Sequence, residues 1–272
     1  MHGCGPLNRI KKMYKIMSIA ISSFVDLSPS WNIFQDVHDS EKDEIVLWPM
    51  KPSYLVYDDG FCYDLPFSGK HTFVCDDSVL VMDSEWANAV VLTSKSAEHT
   101  QLLLLQLFYT HAVRRQMIQL HAATIEDQGR GVLFLGPSGI GKTTQAERWA
   151  EFRGASIING DVGFVQRTER EYIAWGTPWH GSSPYCLNAS VPVKALVVLK
   201  QAPENRLREL TGFEKVAEVS GSVFYPTWLE DGMELCTDTL NHLLTDLPVY
   251  RLDNRADRES VEILAKELDR IT

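Results

Sequence analysis

The segment Gly136-Pro137-Ser138-Gly139-Ile140-Gly141-Lys142-Thr143-Thr144 carries the most specific chemical pattern in the chain. It satisfies G-x-x-x-x-G-K-[ST], with Gly136, Gly141, Lys142 and Thr143 at the fixed positions. Glycines let the backbone wrap closely and turn successive N–H groups inward toward phosphate oxygens. A helix starting behind the loop adds partial positive charge. Lys142 is expected to reach the β- and γ-phosphates of a nucleotide, and the Thr143 hydroxyl to ligate Mg²⁺. A chance glycine-rich turn is the bland alternative. The flanks argue against it, because the apolar run Val132-Leu133-Phe134-Leu135 enters the loop and a helical pattern through Ala146, Trp149 and Ala150 leaves it. ATP or GTP is the implied ligand.

A phosphate loop needs an acid to hold Mg²⁺ or to activate the attacking group. Ile157-Ile158-Asn159-Gly160-Asp161 offers an apolar strand ending in a carboxylate, 19 residues after Lys142. Asp161 is therefore the candidate base or metal ligand, against the alternative of a turn residue capping the next segment. His121, 15 residues before Gly136, lies in Leu120-His121-Ala122-Ala123. A strand there would bring it beside the loop, where negative charge favours the imidazolium. A satisfied structural histidine is the competing reading. Two further candidates concern substrate. His180 sits with Trp179 in the turn-rich segment Gly176–Ser183, which either lines a cleft or forms an aromatic-pinned surface loop. Arg206, with Arg208, either stabilises transferring phosphate charge or belongs to a solvated helix face.

Other chemistries find less support. No Ser-His-Asp order or glycosidase carboxylate pair stands out, and His2, His38, His71, His99 and His242 have no evident ligand partners. Cys4, Cys62, Cys75, Cys186 and Cys236 are scattered and form no CxxC pair, so zinc is unsupported and a reduced, cytoplasmic setting is expected. Arg9, Lys11, Lys12 and Lys15 precede the apolar run Ile16 to Val25, in the order of a signal peptide. Serines interrupt that run and no small-residue cleavage site follows, which favours a buried helix or strand.

The elements that must position these residues follow from periodicity. From Trp48 to Thr93, aromatic and β-branched residues are punctuated by Asp58-Asp59-Gly60, Ser68-Gly69-Lys70 and Asp76-Asp77-Ser78, which predicts short antiparallel strands. A helix is expected from Ser96, as N-cap, to Gln119, with Leu102 to Leu105, Leu107 and Phe108 as its apolar face and Arg114 and Arg115 at its C-terminus. Beyond His121, Gly131–Leu135, Ser156–Asn159, Tyr172–Trp175, Val193–Leu199 and Val249–Leu252 read as strands. Residues 236–247 and 261–271 show helical apolar stripes. The pattern is α/β, with a β-rich portion over residues 1–115 and a nucleotide-type α/β domain over residues 116–272.

His121, the loop Gly136 to Thr144 and Asp161 occur in the order and spacing of HPr kinase/phosphorylase, and the loop is also similar to that of ATP-dependent phosphoenolpyruvate carboxykinase. The run Leu120-His121-Ala122 followed by Gly131 to Gly136 resembles the small HPr-kinase-like proteins of peptide-modification gene clusters, including the lasso-peptide kinases. The resemblance spans about Leu120 to Leu252. It implies a P-loop carboxykinase-like core with a mixed sheet, ATP and Mg²⁺ held by Lys142 and Thr143, Asp161 as metal ligand or base, and His121 handling phosphate or a proton. The acceptor it implies is a hydroxyl of a peptide or protein, a ribosomally made precursor peptide among the candidates. Oligomers are known in the family, which keeps a homo-oligomer among the expectations. The family usually shows two adjacent acids at the strand end, whereas Asn159 and Gly160 precede Asp161 here, so one carboxylate would have to combine base and metal roles. The bacterial signature that follows the acids is also missing, which disfavours HPr itself as substrate.

Charge and length set the remaining bounds. Lys plus Arg number 26 against 36 Asp plus Glu, a formal net charge of −10 in 272 residues. That balance argues against nucleic acid and anionic membranes as partners, and no stretch approaches the ~20 apolar residues of a membrane span. The expected function is transfer of the γ-phosphoryl group of ATP to Ser or Thr. Three alternatives stay open: a small-molecule acceptor, nucleotidyl transfer at the same site, and a nucleotide-binding accessory protein without turnover.

Overall fold

The computed structural model describes residues 10–36, 43–53, 62–93 and 97–271. The turn Asp58-Asp59-Gly60, the expected cap Ser96, and His2, Cys4, Arg9 and His38 lie outside them. The chain divides into two compact units, Met1–Phe108 and Tyr109–Thr272.

The first unit contains strands β1 (Lys12–Ile16), β2 (Ile19–Ser23), β3 (Ile45–Trp48), β4 (Lys51–Ser53), β5 (Cys62–Asp64), β6 (His71–Cys75), β7 (Ser78–Met82) and β8 (Asn88–Thr93). The apolar run from Ile16 therefore forms strand, with Ile16, Ile19 and Ile21 buried. The β6–β7–β8 meander is antiparallel, as the turn signals predict, whereas β3 pairs in parallel with both β2 and β8. Parallel pairing needs a crossover rather than a tight turn, which local turn chemistry does not reveal.

Helix α1 (Ala97–Val113) contains the division between the units. It stops six residues short of the predicted end. Arg115 and Gln116 close its last turn on the carbonyls of Ala112 and Val113, and Gln116 takes φ +56°, which breaks the helix. Met117, Ile118 and Gln119 instead open strand β9 (Met117–Asp127). Leu102, expected on the apolar face, is exposed, while Leu103, Leu104, Leu107 and Phe108 are buried.

The second unit continues with β10 (Arg130–Leu135), α2 (Lys142–Arg153), β11 (Ser156–Asn159), β12 (Val162–Arg167), β13 (Tyr172–Trp175), β14 (Ser190–Gln201), β15 (Arg206–Leu210), α3 (Phe213–Val219), β16 (Val223–Phe224), α4 (Gly232–Asp246), β17 (Val249–Asn254) and α5 (Arg258–Leu268). The sheet is mixed. β10, β14 and β17 are parallel, whereas β9 pairs antiparallel with β10, β11, β12 and β16. The long strand β9 reaches both β10 and β12, and β14 reaches both β13 and β10, so the pairings β10–β9–β12–β13–β14–β10 close a circuit. Strands buried on both faces read as continuous apolar runs, as Val132–Leu135 does. Arg206 and Arg208 lie on β15, antiparallel to β17, and not on a helix face; ladder pairing with residues 249–253 overrides the local charge pattern.

The β9–β10 hairpin turns through Gln128 and Gly129, both at positive φ, the backbone of a two-residue hairpin turn. Its base is pinned by ions. Asp127, 1% exposed, accepts from Arg130 Nη2 at 2.9 Å and from Arg153 Nη2 and Nε at 2.9 and 3.0 Å, while Arg130 Nη1 reaches Asp269 at 2.7 Å. These bonds tie the hairpin to the ends of α2 and α5. Above them Phe134, Trp149, Val197, Leu252 and Leu264 form the core between sheet and helices.

Candidate functional site

Strand register brings the site together. The last pair of β10 with β9 is Leu135 with Ala122, so Gly136 leaves the sheet beside His121. On the opposite edge of β9, Val162 pairs with His121, and Ala122 N–H donates to the Asp161 carbonyl at 3.0 Å. β16 resumes the edge that β10 leaves, pairing Val223 with Leu120 and Phe224 with Gln119. His121 therefore stands between the departing loop and the bend that carries Asp161.

The loop itself is built for close approach. Gly136, Gly139 and Gly141 adopt positive φ (139°, 77° and 107°), and α2 begins at Lys142 directly after them. Pro137, Ser138, Ile140 and Thr144 complete the turn, with Ile140 N–H donating to Pro137 O at 3.3 Å. Lys142, only 6% exposed, folds over the loop, its Nζ donating to the carbonyls of Gly136 and Pro137 at 3.1 and 3.3 Å. Burial lowers the Lys142 ammonium pKa below its ordinary value, and the charge of Asp161 opposes that shift. Thr143 Oγ1 donates to Gly160 O at 3.1 Å, linking the first turn of α2 to the bend before Asp161.

Lys142 Nζ lies 3.0 Å from His121 Nε2, and the same nitrogen lies 3.0 Å from Asp161 Oδ1. One ring nitrogen cannot serve both partners at once. As an acceptor it takes a proton of Lys142; as a donor it gives one to Asp161. The three groups form a short hydrogen-bonded chain beside the loop.

The segment Gly176–Ser183 closes over the Asp161 bend. A Cβ at Gly181 would lie 2.1 Å from Asp161 Oδ2, and one at Gly160 would lie 1.8 Å from Ser183 Oγ. His180 belongs to this segment, its ring Nδ1 bonded to the Ser183 carbonyl. Arg206 is placed elsewhere, paired with Glu204 at 3.0 Å on β15, which borders β17 and not β9. Three residues at the site escape sequence reasoning. Asn159, fully buried, bonds across to the Gly176–Ser183 segment. Gly181 takes φ +56° against Asp161. Phe224, 44% exposed, has its ring centroid 6.2 Å from that of His121. A polar residue inside an apolar run was the one local signal for Asn159; nothing local marks the other two.

A family model described as SynChlorMet cassette protein ScmC matches residues 91–252, more than half of the chain. This chain belongs to the ScmC family. The stretch matched to ScmC contains the loop, His121, Asp161, Asn159 and Gly181. No curated protein matches. Among solved structures, the Hpr(Ser) kinase/phosphatase from Coxiella burnetii is similar at 14% identity over 56% of this chain and 88% of that chain, with a TM-score of 0.34. A TM-score that low bears on neither fold nor function. No helix among the described residues is long and apolar enough to cross a membrane.

Proposed function

We propose that this ScmC-family chain is an ATP-dependent phosphotransferase that moves the γ-phosphoryl group of ATP to a Ser or Thr hydroxyl of a peptide or protein. The observation that carries the reading is the meeting of Lys142, His121 and Asp161 at 3.0 Å contacts beside a glycine loop that opens a helix.

The residues fit the ligand. Positive-φ glycines free of side chains, loop amides and the N-terminus of α2 suit a polyphosphate. A hydroxyl on Thr143 and a carboxylate on Asp161 make the oxygen donor set that Mg²⁺ prefers. Bound there, Mg²⁺ would neutralise charge on the β- and γ-phosphates. Lys142 binds the same phosphates as an ammonium. Asp161 accepts the proton of the attacking hydroxyl as its oxygen bonds to the γ-phosphorus and the bond to the β–γ bridging oxygen breaks, leaving ADP. His121, held between Lys142 and Asp161, orients the carboxylate and receives or returns that proton. Phe224 offers an exposed aromatic surface beside this centre for the acceptor.

The test uses purified protein, ATP, Mg²⁺ and a peptide encoded beside its gene, a choice consistent with the family's description as a cassette protein. Lys142→Ala is expected to abolish ATP binding. Asp161→Asn is expected to keep binding and to lower phosphopeptide formation by about 10²- to 10⁴-fold, the usual contribution of a positioned general base. Nucleotide binding with no turnover in the unaltered protein would contradict the reading.

A further inference from the structure

We propose that Asn159 and Gly181 are positioning residues that set the Asp161 carboxylate through the segment Gly176–Ser183; this rests on the phosphotransferase reading above.

Asn159 spends every polar atom of its side chain internally. Oδ1 accepts from the backbone N–H groups of Asp161 at 3.0 Å and Val162 at 2.9 Å. Nδ2 donates to the carbonyls of Thr177 at 3.2 Å and Trp179 at 2.8 Å. The residue is fully buried, as is Thr177, and Trp179 is nearly so. The amide thus grips the Asp161 bend with one end and the Gly176–Ser183 segment with the other. An aspartate would keep the two accepted bonds and lose both donated ones, leaving two buried carbonyls facing a carboxylate. Position 159 therefore requires an amide, whose oxygen is already taken by two backbone N–H groups.

Gly181 fixes the other side of Asp161. Its missing side chain leaves the space that Oδ2 occupies, since a Cβ would lie 2.1 Å from that oxygen, and φ +56° suits glycine. The backbone of Asp161 is held through Asn159, and its carboxylate abuts Gly181. Both restraints run through one segment, so a shift of that segment moves the carboxylate that bonds to His121.

Two variants test this in the full-length chain: Asn159→Asp and Gly181→Ala. The readouts are transfer of γ-label from ATP–Mg²⁺ to the same peptide, affinity for ATP without Mg²⁺ by calorimetry, thermal melting, and amide exchange of residues 177–183 without nucleotide. Each variant is expected to lower turnover by about 100-fold, the scale of a misplaced reacting group, with affinity for metal-free ATP unchanged. Faster exchange over residues 177–183 is expected in Asn159→Asp. A merely structural role would move affinity and turnover together. Turnover in Asn159→Asp at or above that of the unaltered protein would show that position 159 accommodates an acid and overturn the proposal, as would undiminished turnover in Gly181→Ala. If Asn159→Asp does not fold, Gly181→Ala decides, because Gly181 is exposed. Absence of turnover in the unaltered protein removes the phosphotransferase reading and this inference together; full activity there with two unimpaired variants removes only the inference.

Discussion

At the residue scale, the Nε2 atom of His121 stands 3.0 Å from Lys142 Nζ and from Asp161 Oδ1. Burial pushes the Lys142 ammonium pKa below the ordinary 10.5, and Asp161 opposes this. The protonated form binds phosphate, so a lowered pKa moves the loss of binding to lower pH. ATP affinity is therefore expected to fall with rising pH below 10.5, and a calorimetric titration across alkaline pH checks it. Affinity that stays flat up to 10.5 would place the phosphate contact elsewhere. The loop's place between a strand and a helix was legible because its glycines and its apolar and helical flanks are all local in sequence. Asn159 was not, since its role depends on the carbonyls of Thr177 and Trp179, about 20 residues away and joined to it only by folding.

At the scale of elements, two anchors hold the site's frame. Asp127 is buried between Arg130 and Arg153. Asp127→Ala leaves the buried Arg130 guanidinium half-compensated and is expected to cost about 3–5 kcal/mol, the range for removing one partner of a buried ion pair; urea denaturation measures it. The second anchor is Asp257, the N-cap of α5, which accepts from Ser260 N–H at 3.1 Å. Partial burial pushes its carboxyl pKa up, but the Ser260 N–H, the Asn205 amide and Arg255 outweigh that and hold it below the usual range. A depressed carboxyl pKa contributes stability above the ordinary value of 3.8, lost as pH falls through the lower folded value. Asp257→Ala is expected to cost about 1 kcal/mol at neutral pH, with the difference from the unaltered protein shrinking in acid. Strands bounded by glycine turns and helices with clear apolar stripes were legible in the sequence. The end of α1 was not, because Met117 follows Val113 at i+4 and so continues a helical stripe as readily as it opens a strand. Neither was β15, whose partner β17 lies some 40 residues on, beyond the reach of local pattern.

For the whole molecule, the net charge of −10 stands beside the polyphosphate site proposed above. The two are compatible because the loop relies on backbone N–H groups, a helix N-terminus and one lysine, all local to the second unit. Ligand bound only by the folded state stabilises it by about 2.7 kcal/mol at a hundred times its dissociation constant. Thermal melting should therefore rise with ATP–Mg²⁺ concentration, and the rise should vanish in Lys142→Ala. The measurement that tests the central claim most directly is a single-turnover reaction run in parallel with α- and γ-labelled ATP, Mg²⁺ and a hydroxyl peptide. The expected result is γ-label on the peptide and α-label in ADP, with both slowed by about 10²- to 10⁴-fold in Asp161→Asn. Label from the α-position on the acceptor, or γ-label released as pyrophosphate, would contradict it.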